Sequence, residues 1–226
     1  MWRELQPDQL WIAEMPSKLF GIEMGARSTL ARLPDSSLWV HSPIQLTAEL
    51  RAKTEELGPV GAIVAPNKMH YAFLEQWIAA YPDAVVFVAP DFLRKISVDP
   101  VVLTDVAEIL WHGVLKHDIL HGSSLVQEAD FFHIPSKTLI LTDLAFNIPV
   151  SQRPFGQKLA ANIIGVRDGF SPSRTFRLTA SDKAALKISI ERLLEWDFER
   201  IIIAHGAIIE RDGRKVLRDA FDWVLN

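Results

Sequence analysis

Four short apolar runs in this sequence lead into side chains that can bind a metal ion or transfer a proton. The runs precede His41, His70, Asp143 and His205. Apolar runs of about four to eight residues are typical of buried β-strands, and ligands often bind where the strands of a sheet end. Because four such groups follow strands in the same way, we predict that they meet at one edge of a sheet. Imidazole and carboxylate groups at that edge suit metal binding or acid–base chemistry.

The composition excludes several classes of site. The chain has 226 residues, of which 49% are apolar, and this is enough for one large domain with a substantial core. It contains no cysteine, which excludes disulfides, iron–sulfur clusters, thiolate zinc sites and a cysteine nucleophile. The formal net charge of −4 gives no electrostatic reason to expect a nucleic acid or an anionic membrane as a partner. No signal peptide or membrane-spanning run is apparent, so we predict a cytoplasmic protein.

Strand and helix patterns alternate along most of the chain. Residues 9–41 show the alternation of a β-meander, and residues 60–89 show a strand, a helix and a strand, which is typical of a parallel βαβ unit. Residues 128–141 form a predicted hairpin. The remaining predictions are a helix over 47–57, a strand or a helix over 102–110, a helix capped by Ser181 and ending near Trp196, a strand over 200–204 and a terminal helix over 214–225.

These elements predict an α+β fold, a four-layer αββα sandwich that forms a single domain over residues 1–226. Residues 147–180 show little periodicity and contain several prolines and glycines. They are predicted to form an irregular or partly helical insertion that could cover the site as a lid. Arg167, Arg174 and Arg177 lie in this segment, and a lid with three arginines would favour an anionic small-molecule substrate.

The order of these features resembles that of the metallo-β-lactamase-like superfamily, over nearly the whole chain. An early strand ends in His41-Ser42-Pro43, where that superfamily usually has Asp. A βα unit then carries Ala65-Pro66-Asn67-Lys68-Met69-His70 at the position of the metal motif. A hairpin strand ends in Asp143, and a late strand ends in His205-Gly206. The chain looks closest to an uncharacterised branch with Ala-Pro-Asn-x-x-His in place of the metal motif.

The metal motif of the superfamily, His-x-His-x-Asp-His, is degenerate in this chain. Ala65, Asn67 and Met69 replace two His and the Asp, so the resemblance implies that the first metal site is lost. The second site keeps His70, Asp143 and His205, a set of two His and one carboxylate that suits one Zn²⁺ or Fe²⁺ ion and leaves a position for water. His121 lies close to the position of a further family ligand and is an additional candidate.

Two residues near the motif are candidates for a catalytic role. His41 stands at a strand end, where it could be a fourth ligand or a general base, and Asn67 could orient water or substrate. Each also has a structural alternative, because a buried His often bonds the backbone and Asn is an ordinary turn residue. His133 lies at the far end of its strand from Asp143, about five residues of 3.3 Å each away, and is predicted to be structural.

Three functions are compatible with these residues. The first is a hydrolase-like enzyme with a reduced, mononuclear metal site that acts on an ester, thioester or phosphoester. The second is a metal-free, non-catalytic binding or scaffold protein on the same fold, and the third is an iron-dependent oxidoreductase. Lys68 distinguishes the first two, because an ammonium group bound to Asp143 would replace a metal. The sequence leaves open the substrate, the identity of any metal, the oligomeric state and the pathway.

Overall fold

The computed structural model describes residues 1–19, 21–104 and 110–226. The strands are β1 (Arg3–Gln6), β2 (Leu10–Met15), β3 (Lys18–Leu19), β4 (Ile22–Glu23), β5 (Ala26–Arg32), β6 (Leu38–His41), β7 (Val60–Ala65), β8 (Val85–Val88), β9 (Val101–Val102), β10 (Leu115–Ile119), β11 (Ala129–His133), β12 (Thr138–Leu141), β13 (Phe146–Ile148), β14 (Gly169–Ser171) and β15 (Arg200–Ile203). The helices are α1 (Ala48–Leu57), α2 (Leu74–Ala80), α3 (Phe155–Ile164), α4 (Arg174–Thr179), α5 (Lys183–Glu195), α6 (Gly213–Ala220) and α7 (Asp222–Leu225), with a 3₁₀ helix at Val150–Gln152.

The larger sheet contains the predicted meander and the predicted βαβ unit. Its strand order is β1-β2-β5-β6-β7-β8-β9. The meander strands β1, β2, β5 and β6 pair antiparallel, whereas β6, β7, β8 and β9 pair parallel. Helix α1 connects β6 to β7 and helix α2 connects β7 to β8, so the chain returns to the same edge of the sheet before each parallel strand begins.

The smaller sheet brings two of the predicted site residues to one edge. Its strand order is β10-β11-β12-β15. Strands β11 and β12 form the predicted hairpin, and β12 pairs parallel with β15 so that Leu141 lies opposite Ile203. Because parallel strands end at the same edge, Asp143 and His205 leave the sheet side by side.

Three clusters of buried apolar residues hold the sheets and helices together. Trp39 and Phe87 of the larger sheet pack against Phe131 and Ile202 of the smaller one, so this cluster lies between the two sheets. The outer face of the larger sheet packs under α1 and α2, with Trp77 fully buried. The outer face of the smaller sheet packs under α5, α6 and α7. The predicted α+β fold with a four-layer αββα sandwich is confirmed.

Polar side chains cap the N-termini of helices α1 and α5. The Thr47 side chain accepts a hydrogen bond from the Leu50 N–H at 3.1 Å and caps α1 at the start of the helix predicted over 47–57. The predicted cap at Ser181 is wrong by one residue. Asp182 caps α5, because its carboxylate accepts a hydrogen bond from the Ala185 N–H at 2.9 Å, and an Asp at a helix N-terminus also interacts favourably with the helix dipole.

Residues 147–180 are more regular than their composition predicts. They hold α3, α4 and strand β14, which pairs with β13. Helix α3 packs Ala161 against Ile22, Met24 and Ile148. The strand or helix predicted over 102–110 is described only in part, because β9 ends at Val102 and residues 105–109 lie outside the described residues. None of the described helices is long and apolar enough to cross a lipid bilayer.

Candidate metal site

Three of the four predicted site residues converge at the edge where the two sheets meet. His70 follows β7 of the larger sheet, and Asp143 and His205 follow β12 and β15 of the smaller one. Nε2 of His70 lies 3.0 Å from Oδ2 of Asp143, and Nε2 of His205 lies 3.4 Å from Oδ1. One ligand atom from each residue lies within 4.8 Å of the others, and no second group of three such residues occurs in the described part of the chain.

The second nitrogen of each imidazole has its own partner. Nδ1 of His205 lies 2.6 Å from the Gly25 carbonyl oxygen. A carbonyl only accepts hydrogen bonds, so Nδ1 carries the proton and neutral His205 presents a lone pair at Nε2. Nδ1 of His70 lies 2.7 Å from Oγ of Ser42, and a hydroxyl group can donate or accept. Since a lone pair facing a carboxylate is repulsive, a proton or a cation must lie between His205 and Asp143.

The electrostatics of the site favour a charged carboxylate. Burial alone would raise the pKa of Asp143, but the charge of His70 and the hydrogen bond from His205 outweigh it and hold that pKa well below its usual value. Burial would lower the pKa of His205, but the hydrogen bond to Asp143 and its charge outweigh burial and raise it. A metal ion binding here would therefore meet an ionised carboxylate and displace a proton from His205.

The donor set fits one metal ion. Two imidazoles and a carboxylate are a ligand set that Zn²⁺ accepts, and one ligand atom from each of the three residues lies within 4.8 Å of the others. The Nδ1 contacts to Gly25 and Ser42 are the kind of outer hydrogen bonds that orient metal-binding imidazoles. Ala65 and Asn67, at the positions of the missing first-site ligands, are fully buried.

Asn67 positions the Asp143 carboxylate, a contact that differs from the role in orienting water or substrate that we predict for it. Its Nδ2 donates a hydrogen bond to Oδ2 of Asp143 at 2.8 Å. Its Oδ1 accepts hydrogen bonds from the N–H groups of Met69 and His70 at 2.9 and 3.1 Å. The side chain is 0% exposed and its amide is engaged at both ends, so it offers no group to water or substrate.

His41 lies in the core between the sheets, not in the ligand group. Its ring stacks on Trp39 with 5.2 Å between centroids and meets Phe131 edge-on at 5.4 Å. Burial, together with the charge of His70, lowers the pKa of His41 to about 3. The structure therefore does not bring His41 into the group of three ligands, because side chains two apart in a strand share a face and His41 shares that of Trp39. The roles as fourth ligand or general base stay predictions. Ser42, the next residue, contacts His70 instead.

His121 and His133 also lie outside the ligand group. His121 follows β10, and its backbone N–H donates to Oγ of Ser189 on α5 at 3.0 Å, so the additional ligand predicted at this position is not brought to the site. His133 is buried and its Nδ1 lies 2.7 Å from Oγ of Ser136. This agrees with the structural role that we predict for His133.

Glu128 is a positioning residue that was not predicted from the sequence. Its two carboxylate oxygens accept hydrogen bonds from the N–H groups of Thr142 and Asp143 at 3.0 and 2.7 Å. Burial raises its pKa, and so does the charge of Asp143. Glu128 stands just before β11, and its contacts fix the backbone that carries Asp143 at the end of β12. An acid just before one hairpin strand, with another acid after the partner strand, is the sequence signal for this role.

Arg27 joins the two sheets beside the site. Its guanidinium donates hydrogen bonds to the carbonyl oxygens of Ile203 and Gly206, the latter at 2.6 Å, and pairs with Glu14. The side chain is almost completely buried. Since His205 lies between the two carbonyl groups, Arg27 of β5 fixes the end of β15 against the larger sheet.

The three ligands open into a cleft of about 230 Å³. Most of its remaining walls are apolar, formed by Met15, Leu19, Met24, Ile44, Met69 and Phe73. None of residues 147–180 is among the described residues that line it, so the structure does not support a lid from this segment. Arg174 instead donates hydrogen bonds to carbonyl groups at the end of α3, and Arg177 lies over the ring of Trp223. The reason for expecting an anionic substrate is thereby removed.

Lys68 does not replace a metal ion. Its Nζ lies 3.2 Å from Oδ2 of Asp91, and its side chain is 39% exposed. The ammonium group is thus paired at the surface and not with Asp143. Because the Lys68 ammonium group binds Asp91 and not Asp143, its position favours a metal ion at the site.

Comparisons with known proteins agree with this fold. The model of the DUF4336 family, a domain of unknown function, matches residues 7–168. None of the curated proteins searched matches the sequence.

Solved structures extend the agreement to the whole chain. A metallo-beta-lactamase from Pontibacter korlensis has 12% sequence identity and a TM-score of 0.68, with 100% of this chain and 99% of that chain covered. The mono-zinc form of the metallo-beta-lactamase FIM-1 from Pseudomonas aeruginosa has 11% identity and a TM-score of 0.64, with 100% and 96% covered. The metal-soaked Flv1 flavodiiron core from Synechocystis has 11% identity and a TM-score of 0.64, with 99% and 60% covered. Likeness at such low identity concerns the fold. The chain belongs to the DUF4336 family and has the metallo-β-lactamase fold.

Proposed function

We propose that this protein is a metal-dependent hydrolase with a single metal ion held by His70, Asp143 and His205. The observation that carries the proposal is the convergence of two imidazole Nε2 atoms on one carboxylate, with each Nδ1 already bound to Ser42 or Gly25. In such an arrangement the Nε2 atoms are the imidazole nitrogens that can donate an electron pair to a metal ion. FIM-1, a protein of similar fold, has been solved in a mono-zinc form, which supports the proposal of a single metal ion here.

The chain's own residues define what the site can do. A bound Zn²⁺ or Fe²⁺ would lower the pKa of a water molecule and polarise a carbonyl or phosphoryl oxygen. Asn67 and Glu128 hold the Asp143 carboxylate and its backbone in place, and Ser42 and Gly25 hold the two imidazole rings. The site is thus rigid on its protein side, as a hydrolytic centre requires.

The cleft indicates which esters to test first. Its walls beside the ligands are largely apolar side chains, and Lys18 is the one cationic residue among the described residues that line it. An apolar wall favours a substrate with an apolar group next to the reacting carbonyl. Carboxylic esters and thioesters with short acyl chains therefore precede phosphoesters in the proposed screen.

A metal-free binding protein is the second candidate, and one observation favours it. The imidazole and carboxylate groups lie close enough to bond one another directly, so a protonated His205 closes the site with internal hydrogen bonds. In this state the cleft would bind a small molecule without chemistry. The position of Lys68, paired with Asp91, argues for the metal-binding form over this one.

Measurement of the metal content of protein purified without chelators tests the proposal. We expect about one zinc or iron per wild-type chain and none in the Asp143→Ala/His205→Ala double variant. The matched control is an Asp83→Ala/His112→Ala double variant, which removes the same side-chain types from exposed positions and should keep its metal. A screen of ester, thioester and phosphoester substrates then follows. Absence of metal from the wild type, with no uptake of added Zn²⁺ or Fe²⁺, would leave the binding protein as the better explanation.

Iron should be measured together with zinc, because the two ions share this ligand set. The similarity to a flavodiiron core supports testing the iron form for oxidoreductase activity. A cytoplasmic location and a small-molecule substrate stay predictions from the sequence.

A further inference from the structure

Helix α3 presents three of its four large apolar side chains to solvent, whereas the fourth, Ile164, packs on the protein. Phe155, Leu159 and Ile163 are 81%, 53% and 69% exposed. Their spacing of four residues places them in one row along the helix. The opposite face of α3, which packs on the protein, carries the small residue Ala161 at its centre. Most of the bulky apolar residues of α3 thus face solvent, whereas those of an ordinary surface helix face the core.

The exposed row forms a ridge and not the wall of a groove. Eight residues of α-helix span about 12 Å at 1.5 Å per residue, so the three side chains cover roughly two turns of helix. Side chains as exposed as Phe155 and Ile163 stand out from the surface. A ridge of this kind can insert into an apolar phase without any movement of the fold.

The segment that carries this ridge is rich in positive charge. Residues 147–180 contain five basic residues and one acidic residue, in a chain whose net charge is −4. Lys158 follows Phe155 by three positions and so flanks the row on the same side of α3. Lys158, Arg167 and Arg174 are all exposed. The net charge of the whole chain, from which we predict no membrane partner, hides this local excess of cations.

We propose that the α3 ridge docks on the surface of a lipid bilayer that contains anionic phospholipid. Apolar side chains beside lysine and arginine are the combination that binds such a surface, because the apolar groups enter the acyl region while the cations pair with phosphate groups. The charge complementarity favours an anionic bilayer over a neutral one. The protruding ridge favours a fluid apolar layer over a protein partner, which would need a matching groove.

The ridge lies on the helix that supports one wall of the cleft. Gln157 of α3 accepts a hydrogen bond from the Glu23 N–H at 3.3 Å, and Ala161 packs on Met24. Met24 in turn lines the cleft. Docking would therefore engage the helix that supports this wall, although vesicle binding itself depends on neither a metal ion nor a reaction.

Sedimentation with lipid vesicles tests the proposal on the full chain. We expect wild-type protein to bind vesicles of one third phosphatidylglycerol and two thirds phosphatidylcholine at least tenfold more tightly than vesicles of phosphatidylcholine alone. The Phe155→Ser/Leu159→Ser/Ile163→Ser variant should lose this binding with little change in melting temperature. Leu93→Ser is the matched control, because Leu93 is 93% exposed and lies outside residues 147–180.

A second variant tests how much the positive charges contribute to vesicle binding, and it can be measured even if the triple variant does not fold. Lys158→Glu/Arg167→Glu should weaken binding to the anionic vesicles at least tenfold. Raising the ionic strength from about 0.1 to 1 M, which shortens the Debye length from about 10 to 3 Å, should weaken wild-type binding. Equal affinity for the two vesicle types would overturn the proposal. So would a dimer that the triple variant dissociates, combined with no vesicle binding, because the ridge would then contact a second copy of this chain.

Discussion

Replacing Asn67 by Ala tests whether this residue positions the Asp143 carboxylate. The side chain is fully buried and makes one hydrogen bond to the Asp143 carboxylate and two to backbone N–H groups. A hydrogen bond to a charged group contributes about 1.5–3 kcal/mol, and a neutral one about 0.5–1.5 kcal/mol. Asn67→Ala should therefore lower the free energy of unfolding of metal-free protein by about 2.5–6 kcal/mol. Because a typical domain has about 5–15 kcal/mol of stability, the variant should still fold.

The same substitution should also weaken metal binding. Loss of an outer-shell partner typically costs about 10–100-fold in metal affinity, which corresponds to about 1.4–2.8 kcal/mol. Urea denaturation measures the first quantity and competition against a zinc-binding dye measures the second. Asn162→Ala, at an exposed position of α3, is the control and should change neither. Unchanged zinc affinity in a folded Asn67→Ala variant would refute the role assigned to Asn67, and unchanged stability would refute the hydrogen bonds themselves.

Three further predictions concern neighbouring features. Met69→Asp, at the position of the missing family ligand on the cleft wall, should raise zinc affinity at least tenfold, and adding Asp143→Ala should cancel the gain in a dye competition. Burial and the charge of Glu128 raise the pKa of Asp130 well above its usual value, so the free energy of unfolding should fall as pH rises above about 4, the pKa in the unfolded chain; Asp130→Asn should flatten this slope in urea titrations. Gly206→Ala should lower the melting temperature and the zinc affinity, because its φ is +95° and a Cβ would lie 2.2 Å from the Asn147 carbonyl oxygen.

Each of these predictions has a clear contrary result. Equal zinc affinity of Met69→Asp and wild type would mean that position 69 does not face the metal. A slope that persists in Asp130→Asn would assign the pH dependence to other groups, of which His205 acts in the same direction above about pH 6.5. Gly169→Ala is the control for Gly206→Ala, since its φ is +77° with no atom within 4 Å of a Cβ. Equal losses in both alanine variants would attribute the effect to backbone strain alone.

The sequence predicts the strands that carry the ligands better than the contacts around them. The apolar runs before Asp143 and His205 are local signals, and the resemblance supplies the order in which they join the sheets. His41 lies in the core and not with the three ligands, and alternation indicates this placement, because Trp39 and His41 share one strand face. Ser42, the residue after the strand, contacts His70.

Contacts between distant residues could not be predicted from the sequence. Asn67 and Asp143 are 76 positions apart and meet only because two different sheets end at the same edge. Nothing local to Asn67 distinguishes a turn residue from one that also binds a carboxylate, and it does both. The placement of Arg167, Arg174 and Arg177 also depends on contacts between distant residues, and none of the three is among the described residues that line the cleft.

The division of the ligands between two sheets also affects how the protein folds. His70 belongs to the half of the chain that builds the larger sheet, and Asp143 and His205 belong to the half that builds the smaller one. His205 closes a contact with Gly25 across 180 positions of sequence, and contacts of such separation form late because the loop entropy must be overcome first. Neither half can assemble the three ligands alone. Affinity for a metal ion would thus arise only as the two halves dock, and a metal-sensitive signal during refolding would time that final step.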